Sequence, residues 1–442
     1  MVTFEGLLEA YFDCRVHKSR TNNCIRFSTD VESRLFDMVN AINNRTYSPT
    51  RSICFVVSRP KYREVFAADF ADRIIHHYIR LRLEPLIELE FNDRTYNCRI
   101  GKGTLAGVQQ LEKDIKDCSN NYTEDCYVAS VDIQSFFMSI PKKEVEDMVI
   151  KFIEEKYNGD DKDDLLFLCH VVLSNDPEKN CIKQSSESMW SHLPPSKSLF
   201  TNGEGLGMPI GNLPSQMFAN FLLNDVDWAI ENECSIKYHG RYVDDIYMVS
   251  KTKEQILNAI PVIRERLKNH GLTLSNSKFY MQYYSKGIDF TGAIVKPGRT
   301  YVLNRVVTSF RKSIANLNKS KNKWDIMKAL PSVNSYLGLL RQHYTYAIRQ
   351  NVLREIEPRL FKWLYIKGHY EVLSIKNKYN PNRRIKYRLR RGYKDKMVLP
   401  EAIANFSPLP GDEKYEIRMK DYKPVRIKPL RKLEKKYSKN NI

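Results

Sequence analysis

Three aspartates carry the strongest chemical signal in this chain. Asp244 and Asp245 are adjacent, between Tyr242-Val243 on one side and Ile246-Tyr247-Met248-Val249 on the other. β-Branched and aromatic flanks around a short polar break predict a hairpin with both acids at its turn. Alone, two acids at a turn read more readily as a solvated loop. The third aspartate changes that reading. Asp132 ends the apolar run Tyr127-Val128-Ala129-Ser130-Val131 and is followed by Ile133-Gln134-Ser135-Phe136-Phe137. Strands laid side by side would bring Asp132 against Asp244 and Asp245. Like charges packed that closely repel, and a divalent cation is the usual remedy. Two Mg²⁺ ions (or Mn²⁺) about 3.5–4 Å apart, held by carboxylates, activate an attacking oxygen and stabilise a leaving one in phosphoryl transfer.

Such a site needs a scaffold and a charged substrate, and the rest of the chain is compatible with both. Its 442 residues leave room for two or three subdomains around a substantial core. The formal net charge of +19 points to a polyanionic partner, since each phosphate contact releases counterions. No apolar run approaches the roughly 18–20 residues that span a bilayer, so a membrane partner is not expected. Nine scattered cysteines without a Cys-x-x-Cys pair suit a reduced, intracellular protein. The spacing of Cys169, His170, Cys181 and His192 matches no common zinc pattern.

In chain order, residues 1–50 predict a scaffold of two helices, the second starting after Thr29 or Asp30. An extended β-branched run from Ile53 leads to the basic stretch Ser58-Arg59-Pro60-Lys61-Tyr62-Arg63, either an exposed hairpin or a cation pair for phosphate. A helix opens near Asp72, with Ile75, Ile79, Leu83 and Leu86 as its buried stripe. Gly101-Lys102-Gly103-Thr104 precedes a further helix and suits backbone approach to phosphate, although it lacks P-loop spacing. Residues 158–207 predict a polar, irregular insertion. Gly207-Met208-Pro209-Ile210-Gly211-Asn212 then turns into a helix through Phe218 and Val226.

Tyr242-Val243-Asp244-Asp245 in a hairpin, preceded by strand-Asp132-x-x-x-Phe136-Phe137, resembles the palm of a reverse transcriptase. The resemblance runs from about Ile53 to Arg349. It implies an α+β right-hand polymerase: a helical N-terminal region (1–50), fingers (51–126), palm (127–302, with the 158–207 insertion), helical thumb (303–375) and basic C-terminal tail (376–442). By the same resemblance, Asp132, Asp244, Asp245 and the carbonyl of Ile133 would hold two Mg²⁺ ions. Lys61, Arg63, Phe137, Ile210, Gly211 and Lys278 would bind the incoming nucleotide. Phe137 would face its sugar and exclude a 2′-hydroxyl; Lys278 would neutralise charge or act as a general acid. Lys102, Tyr242 and Arg341 would contact nucleic acid, with His343 and Arg349 also facing it and Tyr336, Leu339 and Leu340 forming the thumb's core stripe. Phe290-Thr291-Gly292-Ala293 resembles the hairpin that grips the primer strand.

Most reverse transcriptases have Gln-Gly where this chain has Ile210-Gly211, and Ser-Pro where it has Ser215-Gln216. Ile-Gly-Asn-Leu-x-Ser-Gln, Phe-Phe-Met-Ser-Ile after the first Asp, and Ser335-Tyr336-Leu337-Gly338-Leu339-Leu340-Arg341 resemble the enzymes of diversity-generating retroelements. Those enzymes, bacterial or phage-encoded and cytoplasmic, copy a template-repeat RNA into cDNA from dNTPs and misincorporate opposite adenines. A small, basic helical accessory protein is the implied partner. An isoleucine side chain cannot make the hydrogen bonds of a glutamine amide, and fewer polar constraints lower discrimination; alternatively Ile210 only packs. A defence-associated, retron-like or intron-derived enzyme and a non-catalytic RNA-binding scaffold are the other readings. In the tail, Arg383, Arg384, Arg388, Arg390 and Arg391 alternate with Tyr387 and Tyr393, which suits single-stranded RNA, a partner protein or a solvated tail.

Overall fold

The computed structural model describes residues 1–16, 18–58, 61–376, 416–420 and 423–427. The chain opens with three helices where two are expected: α1 (Phe4–Arg15), α2 (Asn22–Ser28) and α3 (Val31–Asn43). The extra one is short, and Thr21 caps it by accepting from the N–H of Cys24. Strands β1 (Ser52–Val57) and β2 (Arg63–Ala67) pair antiparallel, with Val57 opposite Arg63. Helix α4 (Phe70–Glu90) starts two residues before the expected Asp72, because Asp69 caps it by accepting from the N–H of Ala71. Asp72 is buried and accepts from the Tyr47 hydroxyl and from the N–H and hydroxyl of Thr50, which fixes the entry into α4. Ile75, Ile79 and Leu83 face the main core with Leu7 and Leu35; Leu86 is only partly buried. Helix α5 (Thr104–Cys118) follows the glycine-rich turn.

The central sheet starts with β3 (Tyr127–Asp132), then α6 (Phe136–Ser139) and α7 (Lys142–Lys156). The segment expected to be an irregular insertion instead contains α8 (Lys162–Ser174), β4 (Cys181–Lys183) and α9 (Glu187–Ser191). Leu165, Leu168, Cys169 and Leu173 supply α8 with a buried apolar face, within an almost continuous apolar run that the polar residues on either side do not extend into. Strand β4 pairs parallel with β1, giving a small sheet of order β2-β1-β4. Next come α10 (Leu213–Leu222) and α11 (Asn224–Asn232), where one continuous helix is expected, followed by β5 (Tyr238–Tyr242), β6 (Asp245–Ser250), α12 (Lys253–Asn269) and β7 (Tyr280–Tyr283).

The sheet order is β5-β6-β3-β7, antiparallel throughout. It is covered on both faces, which explains why β6 reads as a continuous apolar run rather than an alternation. Ala129, Val131, Ile246 and Met248 enter one core with the helices, while Val128, Tyr247 and Val249 enter a second core with α5. Strands β8 (Ile288–Phe290), β9 (Ala293–Lys296) and β10 (Arg299–Val302) form a three-stranded meander. Thr291 and Gly292 make the β8–β9 turn at φ 52° and 88°, the two-residue turn that matches strand twist.

The chain divides into two compact units, Met1–Thr308 with Leu339–Thr345, and Ser309–Gly338 with Tyr346 onward. Helices α13 (Asn304–Asn318), α14 (Lys323–Leu340) and α15 (Tyr346–Leu353) lead to a hairpin of β11 (Leu364–Lys367) and β12 (Val372–Ile375). A further hairpin pairs β13 (Glu416–Lys420) with β14 (Lys423–Ile427). Three expectations are corrected here. In α14 the buried positions are Ile326, Ala329, Val333, Leu337 and Leu340, whereas Leu339 is 39% exposed. Arg349 does not face outward: it is buried, donating to the carbonyls of His369 and Tyr370 at 2.9 and 3.0 Å. His343 is half-buried, its Nδ1 3.1 Å from the Thr300 hydroxyl. Arg383, Arg384, Arg388, Arg390 and Arg391 lie outside the described residues.

Candidate active site

Strand register builds the centre of the site. Asp132 is the last residue of β3 and sits directly opposite Asp245, the first residue of β6. Side chains alternate along a strand, so these two lie on the face shared with Ser130 and Tyr247. The turn itself is Val243-Asp244; Asp245 already belongs to the strand, one residue earlier than the sequence suggests. Asp244 rests on β3 through its carbonyl, which accepts from the N–H of Ile133 at 3.3 Å. Val243 has φ 59°, a region that is costly for a β-branched residue.

Buried partners hold that conformation. The Val243 N–H donates to Asn97 Oδ1 at 2.9 Å, and its carbonyl accepts from Arg241 Nη1 at 3.2 Å. Arg241 is fully buried, with Nε 2.8 Å from Asp227 Oδ1, Nη2 2.6 Å from Asp227 Oδ2 and Nη1 2.9 Å from Asn220 Oδ1. Asn220 in turn donates to the Asn97 carbonyl at 3.0 Å. The hairpin tip is thus fixed from below by a paired buried charge. Sequence reading misses this network, although an arginine inside an apolar strand just before Tyr-Val-Asp-Asp is its one visible trace.

The carboxylates feel one another. Burial and then the charges of Asp244 and Asp132 push the Asp245 carboxyl up to about 7. Burial and the Asp132 charge also raise Asp244. Lys278, in a 3₁₀ turn at Asn276–Lys278, places Nζ 2.5 Å from Asp132 Oδ1. Among the described residues, no group of three His, Cys, Asp or Glu side chains stands at metal-holding distances. The donor set nonetheless fits hard divalent cations: three carboxylates share one pocket, two of them are held back from ionising by burial and by their acidic neighbours, and a cation would relieve this.

Around them lies a cleft of about 1160 Å³. Of the residues singled out from sequence, Asp132, Asp244, Asp245, Lys61, Arg63, Phe137, Ile210, Tyr242 and Lys278 line it. Phe137 is half-buried, its ring tilted by 58° to that of the buried Phe136 with the centroids 5.3 Å apart. Ile210 both packs, against the cluster of Cys54, Phe66, Met138 and Leu199, and faces the cleft.

Four expected residues do not line the cleft. Lys102 is paired with Asp93, 2.6 Å from Oδ1, which occupies the charge expected to face a template. Ile133 has its side chain in the core. Gly211 acts by close approach: at φ 116° it lies against β2, and a Cβ there would meet the Phe66 carbonyl oxygen at 2.6 Å. Arg341 is exposed but outside the cleft lining. Thr291, from the hairpin expected to grip the primer strand, also lines the cleft, and so do Lys197, Asp289 and Arg305, to which sequence reading assigns no role.

A family model described as "Reverse transcriptase (RNA-dependent DNA polymerase)" matches residues 57–295. No curated protein matches the chain. The solved structures similar to it include three of telomerases. Apo telomerase from Candida tropicalis, truncated from its C-terminal domain, has a TM-score of 0.40 at 13% identity, with 60% of this chain and 59% of that one covered. Apo telomerase from the same organism gives 0.43 at 12%, covering 69% and 55%. Telomerase from Candida albicans in complex with the TWJ fragment of telomeric RNA gives 0.40 at 10%, covering 71% and 56%. The chain thus spans between 55% and 59% of the length of these structures.

Proposed function

The chain belongs to the reverse transcriptase (RNA-dependent DNA polymerase) family, and we propose that it is an RNA-directed DNA polymerase of the diversity-generating kind. In this reading it extends a primer along a template-repeat RNA, using dNTPs and releasing pyrophosphate, and it misincorporates opposite template adenines. The observation that supports the polymerase is the register that sets Asp132 opposite Asp245 inside a basic cleft.

Shared lining of one cleft supports the following roles. Asp132, Asp244 and Asp245, with the Ile133 carbonyl, are the residues that would hold two Mg²⁺ ions. Bound there, the ions would supply the positive charge that activates the attacking 3′-hydroxyl and stabilises the leaving oxygen. Lys61, just before β2, and Arg63, its first residue, orient the triphosphate in the cleft. Lys278, already on Asp132, can shift its ammonium toward a bound phosphate when cations take over that carboxylate. Phe137 fills the space of a 2′-hydroxyl and so selects deoxynucleotides. Tyr242 offers a flat face to the strand at the hairpin tip.

The mutagenic assignment rests on Ile210, which presents a branched apolar side chain to the cleft where a glutamine amide would make hydrogen bonds. The test is deep sequencing of cDNA made by the purified protein on its own adjacent RNA, with and without a candidate accessory protein. Errors concentrated opposite adenines, lowered in Ile210→Gln, are expected. An error spectrum unchanged by Ile210→Gln would remove the role of that residue. Uniformly faithful cDNA would leave a polymerase of the retron-like or defence-associated kind. Asp244→Asn is the control, expected to abolish incorporation while RNA binding persists.

A further inference from the structure

Two residues of the segment between α9 and α10 reach the cleft, the apolar Ile210 and the charged Lys197. Its ammonium donates to the Ser135 hydroxyl at 3.4 Å, a long contact, and it forms no ion pair among the described residues. Its charged surroundings are mixed: Asp244 and Asp132 attract it, while Lys278 and Arg63 repel it. Partial burial is the largest influence and, with the repulsion from Lys278, favours the neutral amine more than in an ordinary lysine. A cation gathered near other cations, hydrogen-bonded among the described residues only to a hydroxyl, is placed for an anion that arrives later.

Its position is built. Glu64 is 1% exposed and accepts from the Ser198 hydroxyl at 2.6 Å and from the N–H of Leu199 at 2.9 Å. A buried carboxylate with two donors is an expensive anchor, kept only where its bonds are made. Leu199 then packs with Cys54, Phe66 and Met138. Glu64 is the neighbour of Arg63 on β2, and alternation sends the two side chains to opposite faces. One strand therefore presents Arg63 to the cleft and, through Glu64, fixes the backbone beside Lys197.

We infer that Lys197 is a further ligand for the triphosphate of the incoming nucleotide, supplied by the inserted segment, and that Glu64 is the positioning residue that holds it beside Arg63. The inference rests on the polymerase reading above. Its chemistry is charge pairing with the non-bridging phosphate oxygens, so its loss weakens nucleotide and pyrophosphate binding rather than the chemical step.

The experiment is steady-state incorporation of dTTP on a poly(rA)·oligo(dT) primer–template, with pyrophosphate as product inhibitor. Lys197→Ala is expected to raise KM for dTTP about tenfold and the inhibition constant of pyrophosphate in parallel, the loss of one charge-assisted contact. The kcat should change far less, and Lys197→Arg should restore KM. Glu64→Gln should raise KM in the wild-type background and add nothing to Lys197→Ala, as coupled residues do. A Lys197→Ala enzyme with parental KM and parental pyrophosphate inhibition overturns the inference while leaving the polymerase intact. So does a loss confined to kcat, or one that arginine does not restore in a variant whose Tm is unchanged. A wild-type protein that incorporates nothing overturns the polymerase reading itself, and this inference with it.

Discussion

Asp245 faces two other carboxylates across one sheet end, and its proton affinity records the conflict. Its pKa is raised in the folded state, to about 7 from an ordinary value of 3.8. The sign is that of a buried acid: folding favours the protonated form, so ionisation costs the folded state. The contribution is harmless below about pH 4 and grows as the pH rises toward 7. In chelator, wild-type Tm should therefore fall between about pH 5 and pH 8 by more than that of Asp245→Asn. MgCl₂ should recover the wild type more than the variant, because the amide has no charge to neutralise. Thermal unfolding followed by circular dichroism reads both effects. Equal pH profiles for the two proteins would mean that the three acids do not compete.

The hairpin of β5 and β6 is the element that turns paired acids into a site, and Arg241 with Asp227 is what holds it. Both side chains are fully buried. Asp227→Ala leaves an uncompensated guanidinium in the core and should cost about 3–5 kcal/mol. Changing both together, Arg241→Met with Asp227→Leu, should cost less, since no charge is stranded. Chemical denaturation orders the three proteins; a double variant as unstable as Asp227→Ala would point instead to the lost bond at the Val243 carbonyl.

This network marks the boundary of what was legible in sequence. Asp132 and the hairpin were readable because strand alternation and turn chemistry are local, and Phe137 because the family pattern puts a residue of the nucleotide site there. Ile210 was readable as a departure from a family pattern. The partner of Arg241 sits on a helix 14 residues earlier, and nothing local distinguishes Asp227 from a surface acid. Lys197 was hidden for the same reason: it lies in a polar stretch, and Glu64, the anchor beside it, is more than 130 residues away. Lys102 misled in the opposite direction, because a glycine-rich basic turn looks open to phosphate until Asp93 is seen on it.

At the scale of the whole molecule, the formal net charge of +19 has a measurable consequence. Affinity for a primer–template duplex should fall by about 10³–10⁵-fold between roughly 50 and 200 mM salt if about 6–10 phosphates are contacted. Fluorescence anisotropy over that range gives the slope; a flat response would detach the charge from nucleic-acid binding. Within the first compact unit, long-range pairings dominate: β1 beside β4, β3 beside β6 and β7. The first of these has a consequence in time. β1 is the middle strand of its sheet, yet its second neighbour begins only at Cys181. On a ribosome adding about 5–20 residues per second, that neighbour arrives on the order of ten seconds after β1. Throughout that wait, the hairpin of β1 and β2 carries a bare edge of N–H and C=O groups that any other nascent strand can extend. The rate of synthesis across residues 58–180, and the chaperones that cover the growing chain, therefore set how much of this protein reaches its native sheet rather than an aggregate.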